Sequence, residues 1–177
     1  MPEVQNAELL TRIFGYWPTF HDAEVLAIFF DREGRDGYYG PTLETKIHVF
    51  EMTSEIDDQG RYVLRHHTLV TLRFFQVDTF QADGFNHQNV LGELEINALD
   101  PSEKENARFR VCFSTSYGLE MEFHCKAIQV AAVEPFRPTQ MEHLTFGRWQ
   151  LAFDREGTKR GKHAERRAGG MRLLILS

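Results

Sequence analysis

Two cysteines cannot build a disulfide framework, and no apolar run reaches the roughly 18 residues that span a bilayer. The start, MPEVQNAELL, has neither the cationic opening nor the apolar stretch of a signal peptide, so a cytoplasmic location is expected. GxxxxGK[ST] and GxGxxG are both missing, which leaves a phosphate cradle unsupported. There is no GxSxG elbow, and neither cysteine has an activating neighbourhood in sequence. What the chain has instead is phenylalanine, 15 of them in 177 residues, within an ordinary globular balance of 42% hydrophobic and 26% charged residues. That aromatic load favours a thick, sheet-based core in one domain.

Charge is uneven along the chain. Residues 1–140 carry 12 Lys+Arg against 22 Asp+Glu, or −10, while residues 141–177 carry 8 against 4, or +4. An acidic body lacks the basic face that phosphate contacts need, so nucleic acid is not an expected ligand. It suits a basic protein partner through steering, although acidity also serves solubility alone. The run Lys159–Arg167 (KRGKHAERR) reads as a solvated tail, and 139–177 is expected to form a basic C-terminal extension to a domain over 1–138.

The first element is a helix. Ala7, Leu10, Ile13 and Phe14 recur at helical spacing, Gly15 can cap the end, and Pro18 stops continuation. Strand patterns follow at Ala23–Asp31, Leu43–Met52, Tyr62–Val77, Asn89–Asn97, Arg108–Ser114 and Leu119–Val130. Turn chemistry at Gly37, Gly40–Pro41 and Asp57–Gly60 separates them. In the hairpin RFRVCFS–TSYG–LEMEFHC, Phe109, Val111 and Phe113 share a face, as do Leu119, Met121, Phe123 and Cys125. Arg108 and Arg110 then face solvent opposite Glu120, Glu122 and His124. Short connections predict antiparallel pairing. The fold class is α+β, an N-terminal helix packed on a mainly antiparallel curved β-sheet or a two-sheet sandwich.

Eight histidines invite a metal reading, but adjacent residues on a strand point to opposite faces. This separates His66 from His67 and His124 from Cys125, and the odd spacing separates His48 from Glu51. No cofactor or metal is therefore assigned. A site could assemble only if the loops bearing His21, Asp22 and His87 converge, which would make the chain a small metal-dependent hydrolase. Asp57–Asp58 sits in a turn that favours Asp for its local hydrogen bonds.

Two segments carry more than regular structure requires. Phe14–Val25 (FGYWPTFHDAEV) packs four aromatics, a Gly, a Pro, a His and two carboxylates between a helix and a strand. Trp17 and Phe20 either plug the sheet end or anchor a partner; His21, Asp22 and Glu24 are surface contributors. Gly84–Asn89 concentrates hydrogen-bonding groups in a loop, where Asn86, His87 and Gln88 either recognise a partner or satisfy their own turn. The candidate partner-binding set is Trp17, His21, Asp22, Glu24, Asn86, His87 and Gln88.

With IHVFEMT, YVLRHHTLVTLRF and GFNHQNVL, the first segment resembles the bacterial immunity protein 50 family over about Ile13–Pro138. The resemblance implies an α+β fold and a non-enzymatic inhibitor that binds a cognate toxin of a polymorphic toxin system. It transfers no functional residues. The basic tail after Pro138 departs from it. The acidic body would suit a basic toxin such as a nuclease, and an adaptor domain without a toxin partner remains the other non-enzymatic reading.

Overall fold

The computed structural model describes residues 3–100, 102 and 106–137. One short helix, α1 (Glu8–Phe14), precedes eight strands: β1 (Glu24–Asp31), β2 (Thr42–Ile56), β3 (Tyr62–Phe75), β4 (Asp78–Asp83), β5 (Val90–Ala98), β6 (Phe109–Tyr117), β7 (Glu120–Cys125) and β8 (Ala127–Pro135). α1 buries Leu10 and Phe14, and Gly15 ends it in a left-handed conformation (φ 79°) with its N–H donating to Thr11 O at 2.9 Å. It is not long and apolar enough to cross a membrane.

All eight strands pair in one sheet of order β4-β7-β6-β5-β1-β2-β3-β8, and every ladder in it is antiparallel. The fold is mainly β with one short helix, and the pairing does not divide the strands between two sheets. Only Gln76 and Val77 separate β3 from β4, although these strands lie near opposite ends of the order. Lys126 alone separates β7 from β8, and its N–H donates to Phe75 O at 2.8 Å. Links this short oblige the sheet to curl back on itself. Phe74 of β3 then meets Phe123 of β7 edge-on at 4.9 Å and Phe113 of β6 at 6.1 Å. These rings form the centre of the core, with Leu43, Ile47, Leu72, Leu91 and Met121 fully buried around them.

The expected strand Leu119–Val130 is broken at Lys126, and β4 is an additional strand that the pattern did not announce. Both differences arise at one bend. Gln76 (φ 50°) takes a left-handed conformation that ends β3 two residues before its apolar pattern does, and Thr79 (φ 52°) takes another just inside β4. The hairpin alternation is as expected: Phe109, Val111, Phe113, Leu119, Met121, Phe123 and Cys125 are all buried. Arg110 forks onto Glu122 with two bonds of 2.8 Å, whereas Arg108 reaches Glu3 at 3.0 Å and not the facing strand. The expected basic extension, 139–177, lies outside the described residues.

Candidate functional site

The two singled-out segments meet. After α1, Pro18 is buried and Trp17 packs 5.7 Å from the fully buried Phe20. Phe20 (φ 60°) and Asp22 (φ 62°) both adopt left-handed backbone, at a cost of about 1–3 kcal/mol each. The surroundings hold them there: Ala23 N–H donates to Phe20 O at 3.1 Å, and Asp22 N–H donates to Leu91 O at 3.0 Å. The double twist turns the chain into β1. At the surface, His21 Nδ1 lies 2.9 Å from Asp22 Oδ2, and the imidazole is largely exposed.

The loop before β5 completes the seam. Val25 N–H donates to Asn89 O (2.8 Å) and Leu91 N–H to Ala23 O (2.9 Å). Asn89 is buried, and its side-chain amide donates to Val25 O (3.1 Å) and Asn86 O (2.9 Å) while its Oδ1 accepts from Asn86 N–H (2.9 Å). Asn86 in turn donates to Gly84 O and accepts from Gln88 N–H, so the loop is a nest of side-chain-to-backbone bonds. A Cβ at Gly84 would strike Gly118 O, and one at Gly118 would strike Gln88 O, so backbone seats directly against the β6–β7 turn.

This geometry sorts the candidates. His21, Asn86 and His87 are exposed, Trp17, Asp22 and Glu24 are half-buried, and Gln88 is buried. Asn86 spends its amide on the turn. The metal reading gains no support: among the described residues, His21, Asp22 and His87 do not form a group able to hold a metal ion, nor do any other three His, Cys, Asp or Glu. A shallow pocket of about 160 Å³ between Glu3, Tyr38, Arg108 and Lys126 falls below the size usual for small-molecule sites.

Sequence reasoning missed a histidine pair. His48 Nε2 lies 2.9 Å from His67 Nδ1, with the rings stacked at 5.2 Å. Phe136 covers His48 at 4.2 Å and donates its N–H to His67 O at 2.9 Å. The register places Glu24 of β1 directly opposite His48. The β2–β3 register shift near His66 (φ 55°) brings His67 within reach of His48, while His66 approaches Glu51 at 3.5 Å. Two register shifts separate the Asp57–Gly60 turn from this pair, so the turn chemistry legible in the sequence could not have placed it.

The family model for immunity protein 50 matches residues 6–136, most of the chain and nearly all of its described part. The chain belongs to the immunity protein 50 family. No curated protein and no solved structure matches it. The immunity protein 50 match runs from Asn6, just ahead of α1, to Phe136, the phenylalanine that covers the histidine pair. It therefore includes both halves of the β1–β5 seam and all eight strands.

Proposed function

We propose that the chain neutralises a cognate bacterial toxin in the cytoplasm by stoichiometric protein binding, without chemistry of its own. Membership of the immunity protein 50 family is the observation that carries this reading. An inhibitor needs a stable scaffold and a complementary surface. The curled sheet supplies the first, and the −10 charge of residues 1–140 supports a basic partner, a nuclease being one such toxin. Within the candidate set, His21 and His87 act through exposed side chains, Asp22 and Glu24 contribute charge, and Trp17, Asn86 and Gln88 hold the corner and loop in shape.

The test is protection. If a neighbouring gene encodes a toxin domain, cells expressing that domain should survive when the full chain is co-expressed and die when it is not. Survival without a purifiable one-to-one complex would point to indirect protection. For a basic toxin, raising salt from about 0.05 to 0.5 M should slow association at least tenfold and leave dissociation nearly unchanged. A salt-insensitive association rate would remove the electrostatic part of the proposal.

A further inference from the structure

β1 pairs with β2 from Glu24 to Asp31, with a bulge at Leu26, but meets β5 at a single register position, Glu24 with Val90. Past Val25 the β5 chain turns away, because Asn89 caps Val25 O with its side chain and the 84–89 loop closes on itself. Among the described residues, no backbone group pairs with the β5-side edge of β1 from Leu26 to Asp31. This edge is also apolar. Phe29 is 54% exposed and Phe30 is 51% exposed, and Leu26 is exposed beside them. Phe30 stacks on Phe80 of β4 at 4.8 Å, so β4 borders the same opening, and among the described residues β4 pairs only with β7.

Natural sheets protect edges with charge, proline or cover, and an uncovered apolar edge is a template for another strand. We infer that the Leu26–Asp31 edge receives an extended, cationic segment of the protein partner, added as a strand beside β1; the inference rests on the toxin-binding reading above. Backbone bonds would supply the pairing, and Leu26, Phe29 and Phe30 the apolar contact. The charge argument selects the occupant. β4, which borders the opening, carries Asp78 and Asp83 and no Lys or Arg, within a body of net charge −10, and the cation at the edge itself is Lys46, 6.0 Å over the Phe29 ring. A second copy of this chain would bring the same carboxylates together, whereas a Lys- or Arg-bearing strand would be attracted to them.

Amide hydrogen exchange on the full chain tests this, alone and with an inactivated toxin domain encoded beside the gene. In the free monomer the outward amides of 26–31 should exchange fast, and in the complex they should slow at least roughly tenfold. Leu26→Lys with Phe29→Lys should keep the thermal unfolding profile, because both sites are exposed, and weaken binding at least roughly tenfold. A complex that protects other segments and leaves 26–31 unchanged would overturn the edge assignment while leaving toxin binding intact. Absence of any complex would remove both. Protection of 26–31 in the isolated chain would also overturn it, by a second copy if sedimentation gives a dimer and by the chain itself if it gives a monomer.

Discussion

Asn89 and Val25 hold each other from both directions: Val25 N–H donates to the Asn89 carbonyl at 2.8 Å, and the Asn89 side-chain amide donates back to the Val25 carbonyl at 3.1 Å. The single register position joining β1 to β5 lies beside this exchange. It both fastens the two halves of the sheet and ends their pairing. A backbone carbonyl that would otherwise continue the ladder is occupied by a side chain, so β1 leaves the seam with an edge that no other described residue pairs.

Replacing Asn89 should therefore cost more than an ordinary polar substitution. Asn89→Ala removes three hydrogen bonds in a buried place and leaves Val25 O, Asn86 O and Asn86 N–H to find new partners. A loss of about 2–4 kcal/mol is expected from urea unfolding. A loss below about 0.5 kcal/mol would mean that water replaces the amide and that the seam does not depend on it.

Gly118 and Gly60 form a matched pair for separating strain from collision. Both have positive φ, 85° and 78°, but a Cβ at Gly60 enters open space while one at Gly118 meets Gln88 O and the side chains of Asn86 and Asn89. Gly60→Ala should cost about 1 kcal/mol, the left-handed penalty alone. Gly118→Ala should cost at least about 2 kcal/mol more, since backbone must move. Equal losses at the two sites would show that the 84–89 loop yields freely.

The turn at Asp57 predicts an acid-dependent loss of stability. The Arg61 backbone N–H, and then the Arg61 guanidinium, hold the Asp57 carboxyl below its ordinary value of 3.8. A carboxyl with a depressed folded pKa contributes stability that is present above 3.8 and lost as pH falls below it. Asp57→Asn should keep the turn and flatten the fall in stability below that pH, as followed by thermal unfolding across a pH series. An unchanged slope would assign the acid sensitivity to other carboxylates, such as Asp31, which its bonds from Glu33 N–H and Arg35 also hold low.

The cysteines should label in a fixed order. Cys125 is buried and its thiol is pushed up by desolvation alone; Cys112 is half-buried and raised first by burial and then by the Glu122 carboxylate. Iodoacetamide at pH 8 should modify Cys112 before Cys125, and both more slowly than a free thiol. Glu122→Gln should speed labelling of Cys112 several-fold, because the repelling carboxylate is lost and Arg110 remains near. Mass spectrometry of timed samples reads the order directly, and faster labelling of Cys125 would contradict its burial.

Much of the scaffold was legible in the residues themselves. Helical spacing with Gly15 behind it marked α1, and strict alternation marked the buried face of β6 and β7, because both depend on periods of a few residues. Asp57–Gly60 marked its turn for the same local reason. The two polar-aromatic segments were also recognisable as unusual, but not why: one sequence cannot show that Val25 and Asn89, 64 positions apart, exchange hydrogen bonds. His48 and His67 escaped notice because face alternation was judged within single strands, while their contact crosses two strands at a register shift.

By itself, then, the sequence determined an acidic, mainly antiparallel protein with a short leading helix, and its ordered segments identified its family. Those properties follow from composition and from patterns within reach of one turn or one strand. Tertiary structure alone decided that the sheet is one and curls through two short bends, that the corner and the 84–89 loop are a seam, and that, among the described residues, nothing pairs with the outer edge of β1 past Val25. Each of these depends on which distant backbone groups satisfy one another, and that pairing is set only when the whole sheet closes around its core.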